Sequence, residues 1–170
     1  TDDFGTKDVI EVANTSGNER FYVMALDDVG SSYYYWYRYA YGNMSDYATA
    51  TSTSFGSGKQ NTKNMIEKWN SSSYGKQNAS GYTDVWGSST VQSKMNANPA
   101  WYVPSQEEWL AFGAELGIKK DNYSNKGLKN CYWSSSQYST NSAWYALFGS
   151  GYMDRNNVDD PNYVRLGTTF

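Results

Sequence analysis

The stretch from Pro104 to Gly117 constrains the fold most, because it carries both start and stop signals for a helix. Ser105 can cap the first free amides, and Glu108, three residues further on, completes a capping box. Gly117 suits the left-handed conformation in which many helices end. Three apolar residues at helical spacing should share one buried face. Those residues are Trp109, Phe112 and Leu116. The sequence therefore predicts a helix from Ser105 to Leu116.

Shorter patterns predict the remaining elements. Lys59–Asn70 has apolar residues at helical spacing and is predicted to be a second helix, and Val85–Met95 is a third helical candidate. Short apolar and aromatic runs between turn residues predict strands. The candidate strands are Val9–Val12 and Phe21–Leu26, joined as a hairpin by a turn at Asn14–Asn18, and then Cys131–Ser134, Ala143–Phe148, Gly151–Asp154 and Tyr163–Thr169. This pattern favours an α+β fold in one domain over residues 1–170, with a small, mostly antiparallel sheet, two to three helices and long irregular loops.

Two segments allow more than one interpretation. The aromatic run Tyr33–Tyr41 favours an extended conformation, either as core and sheet-face packing or as a platform on which sugars stack. Gly56–Lys59 resembles a fragment of a phosphate-binding loop, but the full motif is missing. We interpret it as a glycine-rich entry into the second helix.

Composition excludes several classes of function. The chain has no histidine, which excludes Ser-His-Asp, Cys-His and zinc-hydrolase chemistry. The carboxylate pairs Glu107–Glu108 and Asp159–Asp160 are the remaining catalytic candidates, and adjacent residues on a helix cannot flank one bond. Cys131 is the only cysteine and is predicted to be a buried small hydrophobe. The sequence therefore predicts a protein that is not an enzyme and has no metal site or cofactor.

Net charge and hydropathy indicate whether the chain binds nucleic acid or enters a membrane. A net charge of −3 offers no electrostatic footprint for nucleic acid or anionic lipid. No apolar run approaches the length of a membrane span. We therefore predict neither nucleic-acid binding nor membrane insertion by this domain.

Lysine and glutamate are distributed unevenly along the chain. All ten lysines and all six glutamates lie at or before position 130. From Gln137 to Tyr163 the chain is instead rich in Tyr, Ser, Asn, Asp, Gly and Thr, which are the residue types of antibody loops. Tyrosine gives a large contact area while fixing only two torsions, and the short polar side chains form adaptable hydrogen bonds. Ordinary solvated turns favour several of the same residues. The composition nevertheless favours a recognition surface in the last forty residues.

Several linked motifs resemble those of bacterial domains with a C-type-lectin-like fold. The motifs are Gly56–Thr62, Trp101–Trp109, Tyr132–Ser136 and Asn162–Leu166, and the likeness spans about residues 33–170. The segment of about 136–163 is similar to the variable region of proteins diversified by retroelements, in which template adenines are copied erroneously. Substituting the two adenines of an AAC codon gives Tyr, Ser, Asp, Gly, Leu, Arg, Pro and others, but never Lys, Glu, Gln, Met or Trp. The missing lysines and glutamates agree with that rule.

The resemblance implies a set of ligand-binding residues that point into one face. They are Tyr138, Ser139, Asn141, Ser142, Tyr145, Leu147, Ser150, Tyr152, Asp154, Arg155, Asn156, Asn157, Asp159, Asp160 and Asn162. Trp144 and Met153 lie outside the codon rule and would be fixed scaffold positions. Trp133, Trp144, Val164 and Arg165 would hold the face in place. The implied ligand is a macromolecule, either a protein or a surface glycan, met at a cell surface, outside the cell or on a phage particle.

The resemblance to the C-type-lectin-like fold also allows three other classes of protein. Calcium-dependent lectins combine a motif like Asp160-Pro161-Asn162 with Trp-Asn-Asp, which does not occur here. Formylglycine-generating enzymes with this fold need a cysteine pair, which one cysteine cannot supply. A non-diversified structural or adhesin module of bacterial surface proteins is a further alternative.

Overall fold

The computed structural model describes residues 22–38, 50–71 and 81–170. The predicted strand Val9–Val12, the turn at Asn14–Asn18 and residues 39–41 of the aromatic run lie outside the described residues. The strands are β1 (Tyr22–Asp28), β2 (Tyr34–Tyr35), β3 (Thr83–Asp84), β4 (Trp101–Tyr102), β5 (Cys131–Ser139), β6 (Ser142–Leu147), β7 (Tyr152–Asn157) and β8 (Arg165–Thr169). The helices are α1 (Gly58–Asn70), α2 (Ser89–Met95) and α3 (Gln106–Glu115), with 3₁₀ turns at Val85–Gly87 and Tyr123–Lys126. Within these parts of the chain, no helix is long and apolar enough to cross a membrane.

The strands form three small sheets. β8 lies between β1 and β4 and runs antiparallel to both. β5, β6 and β7 form an antiparallel meander, whereas the two-residue strands β2 and β3 pair in parallel. The prediction of an α+β architecture with small, mostly antiparallel sheets is confirmed. Its division into separate sheets was not predicted, because pairing between residues as distant as Tyr22 and Thr169 leaves no local signal.

Helix α3 forms as the capping signals predict, except at its last apolar position. The Ser105 side chain accepts a hydrogen bond from the Glu108 amide, and the Glu108 carboxylate accepts one from the Ser105 amide. Gly117 has the left-handed φ of 58°. Leu116, predicted to be buried, is 46% exposed. It is the C-cap residue, so the chain leaves the helix there and its side chain lines an open, mostly apolar groove beside β1.

Helix α1 begins at Gly58, within the segment that resembles a phosphate loop. The N-cap residue Ser57 makes no side-chain cap hydrogen bond. The backbone amides of Gly56 and Gly58 instead stabilise the buried carboxylate of Glu108. Anions bind well at helix N-termini because the first amides have no partner within the helix. The glycine-rich entry into α1 therefore holds a carboxylate of the chain itself.

We expect Gly58→Ala to lower the free energy of unfolding by about 2–3 kcal/mol, because the site is already fully packed. An added Cβ would lie 2.1 Å from Oε2 of Glu108, 2.9 Å from the Val103 carbonyl oxygen and 3.0 Å from the Ser105 nitrogen. Two of those atoms belong to the backbone and cannot rotate away. Urea unfolding of the variant and of the wild type measures the difference.

The matched control is Gly149→Ala. Its Cβ would lie 2.3 Å from Oδ1 of Asn130, a contact of similar length to the one at Gly58. Asn130 is an exposed side chain that can move, so the expected loss is below about 1 kcal/mol. Equal losses in the two variants would contradict the argument that the backbone contacts of Gly58 are decisive.

Tryptophan side chains fix the position of β5, the strand that supports the candidate site. The indole N–H groups of Trp36 and Trp109 donate to the carbonyl oxygens of Ser134 and Trp133, at 2.8 and 3.1 Å. The indole of Trp133 donates to the Tyr34 carbonyl oxygen at 2.8 Å. All three tryptophans are fully buried. β5 is therefore held from both of its sides by buried, directional hydrogen bonds.

Candidate functional site

The meander β5–β6–β7 carries most of the predicted site residues, and its register divides them between two faces. Residues opposite each other across β6 and β7 include Tyr145 with Asp154, Leu147 with Tyr152, Trp144 with Arg155 and Ser142 with Asn157. Side chains alternate between the two faces along a strand, and directly paired residues point to the same face. The tyrosine face therefore carries Tyr145, Leu147, Tyr152, Asp154 and Asn156. The arginine face carries Ser142, Trp144, Met153, Arg155 and Asn157.

The prediction that the fifteen residues point into one face is therefore wrong. Asp154, Arg155, Asn156 and Asn157 are consecutive residues of β7 and cannot share a face. Tyr138 belongs with the arginine face, because its ring contacts Trp144 and not Tyr145.

The tyrosine face combines phenol rings with carboxylates. The pKa of Tyr145 is raised to about 12, mainly by burial and also by the charge of Asp154, by the neighbouring Cys131 and Tyr152 and by the charge of Asp160. These groups therefore lie close to the Tyr145 hydroxyl. Cys131, predicted to be buried, is half-buried, and partial burial raises the pKa of its thiol. It lies opposite Leu147 at the end of β5.

A row of rings outside the predicted set lies beside β5. Tyr163 pairs with β5 beside Tyr132, and its ring centroid lies 4.4 Å from that of Tyr33. A hydrogen bond to Tyr163 is the main cause that raises the pKa of Tyr33. The ring of Tyr82 contacts those of Tyr33 and Tyr35 at 5.6 and 5.5 Å. This row of half-exposed rings joins residues from three distant parts of the chain.

The described part of the aromatic run is divided between the core and the surface. Trp36 and Tyr37 are fully buried and belong to the core. Tyr33 and Tyr35 are half-buried, and their rings belong to the row that contains Tyr82 and Tyr163. The sequence does not indicate that Tyr82 and Tyr163 join this row, because no local pattern marks them and only tertiary contacts bring them to Tyr33 and Tyr35.

The arginine face is a compact aromatic and cationic cluster. The ring centroids of Tyr138 and Trp144 lie 5.5 Å apart with planes at 87°. The Arg155 guanidinium lies 4.5 Å from the Tyr138 centroid and 5.9 Å from that of Trp144. Trp144 packs against the core formed by Trp109, Tyr132 and Phe148, so the cluster rests on a fixed base. We call Tyr138, Trp144 and Arg155 the arginine cluster.

The hairpin between β5 and β6 carries hydroxyl and amide groups at its tip. The Ser139 hydroxyl lies 3.0 Å from Oδ1 of Asn141 and 2.5 Å from the Ser142 hydroxyl. The tip is attached to the rest of the fold, because the Tyr37 hydroxyl donates to the Thr140 carbonyl oxygen and the Val158 amide donates to that of Asn141. Its polar groups are thus held in place and remain at the surface.

The remaining predicted residues are dispersed. Ser150 lies exposed in the turn between β6 and β7, at the end of the meander opposite to the tip. Asp159 and Asp160 follow β7, half-buried and exposed respectively. Asn162 is only 2% exposed, because its backbone pairs with Tyr34 in the interior, so its prediction as a surface residue is wrong.

The predicted supporting residues lie beneath these surfaces. Trp133, Val164 and Arg165 are buried, Met153 is 8% exposed, and Trp144 is half-buried. Arg165 forms an ion pair with Asp28 at 2.7 Å.

Metal binding finds no support in the part of the chain that the structure describes, which contains no cluster of three or more Cys, Asp or Glu side chains able to hold an ion. Comparison with known proteins identifies no matching family model, no matching curated protein and no matching solved structure.

Proposed function

We propose that this protein is a ligand-binding protein, receptor-like or adhesin-like, whose recognition surface is built on the β5–β7 meander of a C-type-lectin-like fold. We further propose that the segment of about 136–163 is a variable region and that the protein acts at a cell surface, outside the cell or on a phage particle. The two faces of the meander replace the single face that the sequence predicts. The proposal names no ligand, because a diversified surface has the chemistry of binding without a fixed partner.

One observation supports this proposal above the others. Of the predicted site residues, all except Asn162 are exposed or half-exposed, although most of them belong to strands that also carry buried residues. Buried apolar residues of β6 and β7 and at their ends are Ala143, Ala146, Phe148, Met153 and Val158. Substitutions at the exposed positions would leave the packed interior unchanged, and surface substitutions usually alter stability by less than about 0.5 kcal/mol. Such a segment can vary in sequence while the fold is kept.

The residue types at these positions also favour ligand binding, beyond the tolerance of substitutions. Tyr138, Tyr145 and Tyr152 hold large rings at the surface, each with only two torsions to fix on binding. Lysine and glutamate, which lose more side-chain entropy and are depleted from the cores of interfaces, are absent from the last forty residues. The surface is therefore suited to a macromolecular ligand.

Sequencing the same gene from closely related genomes tests the proposal. We expect substitutions to concentrate at the exposed and half-exposed site residues and to follow the AAC codon rule, while Trp144 and Met153 stay fixed. A near-copy of the segment should lie beside a reverse-transcriptase gene. Substitutions spread evenly over the chain, with no such copy, would contradict diversification and favour the structural or adhesin module.

Two laboratory libraries test separately whether the surface positions tolerate substitution and whether they bind a ligand. We would randomise Tyr138, Tyr145, Tyr152, Asp154 and Arg155 with codons of the AAC-derived set, and in a matched library the buried residues Ala143, Ala146, Phe148, Met153 and Val158. We expect most members of the first library and few of the second to resist protease when displayed. Only the first should yield binders to a purified target protein. Equal loss of protease resistance in both libraries would contradict the proposed role of the surface.

A further inference from the structure

We infer that the arginine cluster is a binding hot spot that takes an aspartate or glutamate side chain of a protein ligand. This inference rests on the proposed function and deepens it, because it assigns one of the two faces a chemical class of partner. Three features of the described residues carry it: the geometry of the cluster, the distribution of charge over the meander, and the residue types that meet there.

The Arg155 side chain is exposed to solvent. Its Cζ lies 4.5 Å from the Tyr138 ring centroid, a contact that restricts the positions of the guanidinium, while the guanidinium N–H groups make no hydrogen bond or ion pair with the described residues. A planar guanidinium binds a carboxylate through two parallel hydrogen bonds, and prior orientation reduces the entropy lost on binding. Arg155 therefore offers an anion an exposed guanidinium that is held against an aromatic ring and has no ion-pair partner among the described residues.

Charge distribution makes Arg155 the one place on the meander that suits an acidic group. The last forty residues contain two arginines and no lysine, and Arg165 is buried in its ion pair with Asp28. Asp154 points to the tyrosine face, and Asp160 lies close to Tyr145 on that side as well. The charges of Asp154 and Asp160 disfavour an acidic ligand group beside Tyr145, so within the strands of the meander the arginine cluster is the place that suits one.

The residue types favour a protein partner over a small acid. Binding hot spots are enriched in Trp, Tyr and Arg, and all three meet here within 6 Å of one another. Tyr138 is 42% exposed, so a partner surface that covers its ring would bury apolar area and exclude water from the ion pair. A small free acid would supply the charge but would not exclude the water.

Nuclear magnetic resonance with two matched peptides tests the inference on the isotope-labelled full chain. The probes are acetyl-Leu-Glu-Leu-amide and acetyl-Leu-Gln-Leu-amide, which differ only in the carboxylate. We expect the Glu peptide to shift the Arg155 Nε–H and Trp144 indole signals and to bind at least about tenfold more tightly than the Gln peptide, as a charge-assisted hydrogen-bond pair predicts. Arg155→Gln should abolish this difference and Arg155→Lys should reduce it. Lys63→Gln, which removes an exposed cation from α1, is the matched control and should leave it unchanged.

The outcomes separate this inference from the proposed function. Equal affinities for the two peptides, or a preference for the Glu peptide that persists in Arg155→Gln, would overturn the inference. Shifts confined to Tyr145 and Tyr152 would also overturn it, while leaving the proposed function intact. Tighter binding of N-acetylneuraminic acid than of the Glu peptide would assign the cluster to acidic glycans instead. Absence of any shift at millimolar peptide would refute the hot spot.

Discussion

Asp28→Ala should lower the free energy of unfolding by about 3–5 kcal/mol, which is the typical loss when one partner of a buried ion pair is removed. Oδ1 of Asp28 lies 2.7 Å from Nη2 of Arg165 and accepts a hydrogen bond from the Tyr132 hydroxyl at 2.9 Å. Arg165 is 4% exposed and its guanidinium cannot lose its proton, so the substitution leaves a buried, uncompensated charge. Because Asp28 ends β1, Arg165 begins β8 and Tyr132 lies in β5, the loss affects the junction of two sheets.

Urea unfolding of two further variants identifies the cause of that loss. Asp27→Ala removes the exposed neighbouring carboxylate and should change stability by less than about 0.5 kcal/mol. The double variant Asp28→Ala/Arg165→Met removes both charges and should recover much of the loss, since apolar replacements of buried pairs are often close to neutral. A double variant as unstable as Asp28→Ala alone would show that packing, and not the unpaired charge, is responsible.

The sequence predicts elements whose signals are local and misses those that depend on distant residues. Helix α3 was predicted correctly because Ser105, Glu108 and Gly117 lie within the helix or at its ends. Leu116 was assigned to the buried face because helical spacing alone does not show where the chain leaves the helix. The two-residue strands β2, β3 and β4 have no periodicity to detect, and their partners are fixed by tertiary packing.

The sequence indicates which side chains of the candidate site are exposed, but not the face of the sheet to which each of them points. Composition identified a surface segment, since polar residues and tyrosines are exposed on strands with buried neighbours. It could not assign faces, because the predicted positions 154–157 are consecutive and a strand turns each successive side chain to the other side. The buried Asn162 shows the same limit, because its backbone pairing with Tyr34 is set by the fold and not by residue type.

Glu108 should make the protein less stable as pH rises from about 4.5 to about 7. Burial raises the pKa of its carboxyl from 4.5 to about 7, although hydrogen bonds from Ser105, Gly58 and Gly56 act in the opposite direction. The raised pKa means that the folded state holds the proton more tightly than the unfolded state does. The contribution to stability is therefore complete below pH 4.5 and is lost as pH rises through about 7. At about 1.4 kcal/mol per pKa unit, the loss above pH 7 is about 3 kcal/mol.

The burial and hydrogen bonding of Glu108 agree with a raised pKa. Glu108 is 1% exposed, and its Oε1 has no hydrogen-bond partner among the described residues, so the backbone amides offset only part of the cost of placing a charge in this buried site. Oε2, in contrast, accepts the Ser105 amide at 2.7 Å, which an uncharged carboxyl or an amide group can also do. Glu108→Gln therefore keeps the cap and removes the charge.

Urea unfolding at pH 4.5, 6, 7 and 8 gives the pH dependence for wild type and Glu108→Gln. We expect the variant to gain about 3 kcal/mol relative to wild type between the lowest and highest pH, because only the wild type must ionise a buried carboxyl. Glu107→Gln makes the same change in net charge at a more exposed position and controls for long-range electrostatics. Parallel pH profiles of wild type and Glu108→Gln would show that water reaches the carboxylate, and the glycine-rich entry into α1 would then hold an ordinary, solvated anion.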